Sequence, residues 1–233
     1  MAKNSKKLSV RLTDREQIWG IVYLLVSVFL LPMLLRYLNG LLARPVGNAW
    51  FNFIYFSCNF ACVLWIFHGF FKRSLSYAGQ NVWIFLLAVL LGAVGYFALS
   101  KVLGMALNWL FPNYVNLNDA SIITMAHSNF LVMFIGTVFL VPVTEEVLHR
   151  GLVFGSLYPK SHVAAYLLSA AVFSAVHIVG YVGIYSLPHL LLAFLQYIPA
   201  GLALAWAYRF SGSIFAPIVI HATVNAIGLV AMR

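Results

Sequence analysis

Apolar residues along this chain form long, nearly uninterrupted runs with short polar breaks between them. The runs span about 18–37, 50–71, 81–110, 128–143, 144–158, 162–180, 187–209 and 213–231. A helix needs roughly 20 apolar residues to cross the hydrocarbon core of a bilayer. The pattern therefore predicts a series of membrane-spanning helices rather than the alternating pattern of a soluble sheet.

The run 144–158 is short for a span and follows Pro142 closely. Proline bends or interrupts a helix because it lacks an N–H group. We therefore expect 144–158 to continue the run 128–143 as one bent helix, which leaves seven or eight spans. Lipid excludes open sheets because it cannot satisfy unpaired backbone groups. The predicted fold is an all-α polytopic transmembrane helical bundle.

The composition supports a membrane protein and argues against a soluble or disordered chain. Of the 233 residues, 63% are hydrophobic and 8% are charged, and the mean hydropathy is +0.94. A soluble domain carries roughly 25% charged residues. The sequence shows no repeat or second domain, so we predict a basic arm over 1–17 and a single transmembrane domain over 18–233.

The basic arm predicts the orientation of the chain in the cell membrane. It holds five of the basic residues behind the net charge of +9: Lys3, Lys6, Lys7, Arg11 and Arg15. Basic residues beside a span favour the cytoplasmic side and anionic lipid. Membrane orientation and anionic lipid explain this short basic arm more economically than binding to nucleic acid does. We therefore expect a cytoplasmic N-terminus and a lipid partner. Residues 111–129 contain no Lys or Arg, which predicts a loop on the outer side.

Two of the five acidic residues, Glu145 and Glu146, lie inside the apolar half of the chain, in VPVTEEVLHRGLVF. A charge near the bilayer centre costs at least about 2.5–3.5 kcal/mol, so such residues face a polar interior and are usually functional. The alternative is that both glutamates lie near an interface and reach water.

Helical spacing separates the two glutamates. Glu146 and Arg150 are four residues apart, which is the spacing of an ion pair within a helix. Glu145 has His149 at the same spacing on a face rotated by about 100°. We therefore predict a structural Glu146–Arg150 pair and a functional Glu145.

Three polar residues further along could join Glu145 in one interior pocket: His177, His221 and Asn225. A carboxylate beside a histidine can activate water as a general base. A histidine and an asparagine one turn apart can donate hydrogen bonds to a developing oxyanion. Zinc is a competing interpretation because Glu and His are zinc ligands, but the chain lacks the HExxH motif.

Three short motifs resemble those of a known family. EEVLHR is similar to EExxxR, FSAVH to FxxxH and HATVN to HxxxN, and they occur in this order. Together they resemble the CAAX-processing and bacteriocin-processing intramembrane proteases, the CPBP or Abi family, which includes Rce1-like enzymes. The resemblance covers about 125–231, a protease-like core.

The resemblance implies a glutamic-type intramembrane endopeptidase whose cavity opens toward the cytoplasmic side. It implies that Glu145 activates water with help from His177, and that His221 and Asn225 form the oxyanion hole. The substrate would be a CAAX-type C-terminal tail or a peptide precursor, entering from the membrane or the cytoplasmic side.

The remaining motif residues, Glu146 and Arg150, would support the site. The resemblance also implies a mechanism without a metal or other cofactor, although members have been described as metalloproteases.

Two other functions are compatible with intramembrane Glu and His residues. One is a non-catalytic protein of the same fold in bacteriocin immunity or regulation, and the other is a proton-coupled transporter. The chain lacks the repeated halves typical of transporters.

Overall fold

A computed structural model describes residues 8–231 as eight helices joined by short connections. The helices are α1 Asp14–Gly40, α2 Asn48–Gln80, α3 Val82–Leu110, α4 Leu117–Ser128, α5 Phe130–Leu157, α6 His162–Val179, α7 Leu187–Ser211 and α8 Phe215–Ala231. Over these residues no strand forms, and the predicted all-α class is confirmed.

Within the described range, six helices are long and apolar enough to cross a membrane. Of the other two, α4 has 12 residues and α8 is an apolar helix of 17 residues. Trp83 and Trp109, at opposite ends of α3, are 83% and 81% exposed. They lie about 39 Å apart at 1.5 Å per residue, close to the separation of the two interfaces where tryptophan is enriched. The chain is a multi-pass membrane protein.

The runs 128–143 and 144–158 form the single helix α5, as predicted. Two π-helical turns interrupt its regular α-helical backbone. A π-helical turn, Gly136–Leu140, comes directly before Pro142, and a second begins at Val147 and ends at Phe154. A wider turn relieves the clash of the proline ring with the preceding carbonyl. Such turns are frequent at functional sites.

The predicted loop over 111–129 is wrong in its second half, which forms helix α4. Asn116 begins this helix, and its side-chain oxygen accepts hydrogen bonds from the backbone N–H groups of Asn118 and Asp119. The segment looked irregular because it is rich in asparagine, a residue typical of turns. Here asparagine acts as an N-cap instead.

The described end of the basic arm is folded against the bundle. Leu8, Val10 and Leu12 are buried, and the hydroxyl of Tyr208 donates to the carbonyl of Val10. Helix α1 then begins at Asp14, inside the predicted arm. Three predicted basic residues, Lys3, Lys6 and Lys7, lie outside the described residues.

Helix α5 is the most buried of the six long helices and lies at the centre of the bundle. It contacts α2, α6 and α8, while α7 packs against α6 and α3. Helices α6 and α7 approach closely because Gly201 has no side chain: a Cβ there would lie 2.7 Å from the Cα of Ala170. The polar residues of α5 therefore face α6 and α8 from the interior of the protein.

Asp119 gives the segment around α4 a predicted pH dependence. Burial raises the pKa of this carboxyl to about 6, above the ordinary value of an aspartate, so its protonated form favours the folded state. Stability should be greatest below pH 4 and should fall as the pH rises toward 6. Asp119→Asn should therefore raise the melting temperature at pH 8 and leave it nearly unchanged at pH 4.

Thermal unfolding of both proteins in detergent at the two pH values measures this difference. Asp14→Asn is a suitable control because Asp14 is exposed in the first turn of α1, where a carboxylate stabilises the helix. That variant should gain no stability at pH 8. An equal gain for Asp119→Asn at pH 4 and pH 8 would contradict the assigned burial effect.

Candidate active site

Three helices bring one carboxylate oxygen and two imidazoles together. Oε2 of Glu145, on α5, lies 3.9 Å from Nε2 of His177 on α6 and 4.0 Å from Nε2 of His221 on α8. Oε2 is buried and has no hydrogen-bond partner among the described residues. The structure thus places three of the four predicted catalytic residues around one open position.

Hydrogen bonds at the other ring nitrogen orient both imidazoles. Nδ1 of His177 lies 2.8 Å from the carbonyl of Phe173, which can only accept, so Nδ1 carries the proton. Nδ1 of His221 lies 2.8 Å from Oε1 of Glu146. Both rings therefore direct Nε2 toward Glu145, as a lone pair when neutral or as a donor when doubly protonated.

The predicted Glu146–Arg150 ion pair is present and fully buried. Nη1 of Arg150 donates to Oε1 of Glu146 at 2.8 Å, and both side chains are 0% exposed. This burial rules out the alternative that Glu146 reaches water at an interface. Oε1 of Glu146 also accepts from His221, so the pair orients one of the imidazoles.

The Arg150 guanidinium has two further contacts that hold it in the interior. Its Nη2 donates to the carbonyl of Gly201 at 3.3 Å, and its Cζ lies 4.2 Å from the centre of the Phe173 ring. A buried cation over an aromatic face is stabilised by the ring quadrupole. Arg150 therefore joins α5 to both α6 and α7.

Asn225 lies one turn beyond His221 on α8, and its amide is directed to α5. Nδ2 donates to the carbonyl of Thr137 at 2.8 Å. The structure therefore directs this fourth predicted residue to the backbone of α5 at Thr137. Since an amide nitrogen carries two N–H groups, one can remain on Thr137 while the other donates to a ligand.

The spacing around Glu145 fits a water molecule better than a zinc ion. Two ligands of tetrahedral zinc, with bonds of about 2.0–2.1 Å, lie about 3.4 Å apart. The separations of 3.9 and 4.0 Å are wider, and a water with hydrogen bonds of about 2.8 Å spans them. Among residues 8–231, no group of three or more His, Cys, Asp or Glu side chains is arranged to hold a metal ion.

A small cavity of about 60 Å³ lies beside Glu145 and is lined by α1, α2, α5 and Val176 of α6. His149 borders it and is 2% exposed, and neither ring nitrogen has a partner within the described chain. His149 shares this cavity with Glu145, as their four-residue spacing predicted. Its aromatic contact is with Phe173, with ring centres 5.3 Å apart.

Buried polar atoms without a protein partner concentrate at this site. Over the residues that the structure describes, six such atoms belong to five neighbouring side chains: Glu145 Oε2, Glu146 Oε2, His149 Nδ1 and Nε2, Arg150 Nε and Ser174 Oγ. Each carries a desolvation penalty of about 1–3 kcal/mol unless water or a ligand bonds to it. The interior is therefore suited to a polar guest.

Sequence reasoning missed two residues that support the site, Tyr197 and Gly201. The Tyr197 ring stacks on the His177 ring at 4.2 Å, and the Gly201 carbonyl accepts from Arg150. A signal for Tyr197 was present, because LQYIPAG interrupts an apolar run with two polar side chains. Such residues are costly in lipid unless paired. The role of Gly201 depends on its backbone and has no comparable signal.

Comparison with known families supports the resemblance drawn from the motifs. Residues 127–227 match the family described as type II CAAX prenyl endopeptidase Rce1-like. This range contains all seven defined residues of the three motifs. Residues 127–227 are thus similar to this family, and the predicted resemblance is confirmed. A family of endopeptidases favours hydrolysis over the non-catalytic alternative.

One similar protein is the UPF0177 protein YxdF of Lactococcus lactis subsp. lactis strain IL1403. It is 33% identical over 89 residues, which cover 38% of this chain and 44% of the relative. The chain thus spans less than half the length of the relative it matches. No solved structure matches the chain.

Proposed function

We propose that this protein is a glutamic-type intramembrane endopeptidase that hydrolyses a peptide bond with a water activated by Glu145. The observation that carries the proposal is the unpaired Glu145 oxygen, which faces two imidazole Nε2 atoms at 3.9 and 4.0 Å. A water at that position could bond to all three groups. The family match supports the same chemistry.

In the proposed first step, Glu145 removes a proton from the water while the water oxygen attacks the substrate carbonyl carbon. His177 holds the water, because its Nδ1–H is bound to the Phe173 carbonyl and the Nε2 lone pair remains to accept. Glu145 can act as a base because Arg150 pairs with the adjacent Glu146 instead. A positioned general base contributes about 10²–10⁴-fold to the rate.

The negative charge on the former carbonyl oxygen would be stabilised from α8. His221 can donate from Nε2 when it is doubly protonated, and this nitrogen lies 4.0 Å from Oε2 of Glu145. Asn225 can donate its second N–H. Two such donors form an oxyanion hole.

Collapse of the intermediate completes the reaction. The proton held by Glu145 passes to the leaving nitrogen, the C–N bond breaks, and the products are a carboxylic acid and an amine, which then become a carboxylate and an ammonium group by transfer of the remaining water proton. The water supplies both the oxygen and the protons. No metal or other cofactor is needed for this sequence of steps.

We further propose a cytoplasmic N-terminus. Successive long helices cross in alternate directions. Within residues 8–231, the end of the bundle that holds the start of α1 carries six basic residues: Arg11, Arg15, Lys72, Arg73, Lys160 and Arg209. The opposite end carries three: Arg36, Arg44 and Lys101. This bias favours the cytoplasm for the first end.

The substrate would be a peptide or protein with a CAAX-type tail, or a peptide precursor, reaching the site from the membrane or the cytoplasmic side.

Cleavage by the purified protein in liposomes tests the proposal directly. CAAX-type and leader-type peptides are supplied as a mixed pool, and products are identified by mass spectrometry in buffer with and without a zinc chelator. Wild type should release defined fragments in both buffers. Cleavage that depends on added zinc would overturn the metal-free mechanism, and a folded protein that cleaves neither class would contradict the proposed activity.

Asn225→Ala tests the oxyanion hole. Loss of one donor should lower kcat by about 10²–10³-fold, with little change in KM, because the donor acts mainly in the transition state. Steady-state cleavage rates measure both constants. Thr223→Ala is a matched control on α8, since the exposed Thr223 hydroxyl bonds only to the Val219 carbonyl among its described contacts. A rise in KM at constant kcat would instead assign Asn225 to substrate binding.

A further inference from the structure

The segment between α3 and α5, residues 111–129, is fastened to α7 and to the loop before α7 by side-chain hydrogen bonds. Here it is called the connecting segment. The bonds run from Tyr114 Oη to Gln196 Oε1, from His189 Nε2 to the Val115 carbonyl, from Tyr197 Oη to Asn116 Oδ1 and from Tyr181 Oη to the Leu117 carbonyl. Four contacts within four consecutive residues give this part of the segment a defined position.

One of these bonds leads to the active site. The Tyr197 hydroxyl donates to Asn116 Oδ1 at 3.0 Å, and its ring stacks on His177 with centres 4.2 Å apart and planes 27° apart. The same Asn116 oxygen caps α4. A single side chain thus joins the start of α4 to a histidine of the proposed water site.

His177 needs this support for a geometric reason. Its bond from Nδ1 to the Phe173 carbonyl fixes one point of the ring, and rotation about that bond would still move Nε2. Contact with the Tyr197 face restricts that rotation. Nε2 is thereby held 3.9 Å from Glu145 Oε2.

We infer that Tyr197 is a positioning residue for His177 and that, through Asn116, the connecting segment sets the orientation of this imidazole. The inference rests on the proposed function. When the start of α4 is in place, Tyr197 is held flat against His177 and the water position is formed. Displacement of the connecting segment would release Tyr197 and lower turnover without removing a catalytic group.

The chain offers a matched control. Tyr181 also bonds to the connecting segment, through the Leu117 carbonyl at 3.3 Å, but its ring packs against Tyr185 instead of His177. Tyr197→Phe keeps the stacked ring and removes the bond to Asn116. Tyr197→Leu removes both, and Tyr181→Phe removes a comparable bond without a link to the histidine.

In the peptide assay, Tyr197→Leu should lower kcat by about 10–100-fold, since small misplacements of reacting groups carry large rate costs. Tyr197→Phe should lower it by about 3–10-fold, and Tyr181→Phe should stay within about twofold of wild type. KM should change little in all three. Equal kcat for folded Tyr197→Leu and wild type, or equal losses for Tyr181→Phe and Tyr197→Phe, would overturn the inference.

Imidazole ¹⁵N chemical shifts of His177, measured at one pH in detergent micelles, provide a readout independent of catalysis. The His177 resonances should move in both Tyr197 variants and stay in place in Tyr181→Phe. If wild type cleaves no peptide, the proposed function fails and this measurement alone decides the positioning. Unchanged His177 shifts in Tyr197→Leu would then reject it.

Discussion

Glu145→Gln is expected to abolish peptide cleavage while the protein remains folded. The amide has nearly the same shape as the carboxylate but cannot accept the proton of the attacking water. Removal of a positioned general base lowers the rate by about 10²–10⁴-fold. Because Glu145 Oε2 has no partner among the described residues, the substitution breaks no hydrogen bond at that oxygen and should leave the melting temperature near that of wild type.

Two comparisons make this result specific. Asp119→Asn is the same chemical change on α4 and should retain cleavage. Glu146→Gln is the same change at the adjacent residue and should lower stability as well, since Arg150 would lose a charged partner. Cleavage by Glu145→Gln above about a tenth of the wild-type rate would be far too fast for a missing general base. That result would refute the role assigned to Glu145.

Arg150→Ala is expected to destabilise the bundle more than any other substitution considered. Removal of one member of a buried ion pair leaves an uncompensated charge and costs roughly 3–5 kcal/mol. Here both side chains are 0% exposed, and the change also removes the contacts with Gly201 and Phe173. Activity should fall with stability, because the partner of Arg150, Glu146, also orients His221.

Thermal unfolding in detergent measures the loss, and two further variants show its origin. Glu146→Gln combined with Arg150→Met should recover part of the stability, because it removes both buried charges. Arg73→Ala breaks an ion pair with Glu16 in which the Arg73 side chain is 41% exposed. Such a pair contributes about 0–1 kcal/mol. An equal melting temperature for Arg73→Ala and Arg150→Ala would contradict the importance of burial.

Several features could be predicted from the sequence because they depend on neighbouring residues or on simple periodicity. Long apolar runs determined the helical membrane fold, since lipid leaves few other structures available. Pro142 indicated an irregularity in α5, where the π-helical turn Gly136–Leu140 precedes it. The ion pair followed from the four-residue spacing of Glu146 and Arg150. It still forms across the wider turn that begins at Val147. The order of three short motifs indicated the family.

Other features depended on contacts between residues far apart in the chain. The sequence named Glu145, His177 and His221, but only packing of α5, α6 and α8 brought their atoms within 4.0 Å. Asn225 was expected in the same pocket, and the fold directs its amide to Thr137.

What the sequence alone determined about this protein is the class of fold, the motif residues and one local ion pair, because apolar length and helical spacing act over a few turns. Only the tertiary structure decided the directions of the two imidazole nitrogens, the helix in residues 117–128 and the stacking of Tyr197 on His177. Each of these depends on contacts between groups that are far apart in the chain, which local spacing does not predict.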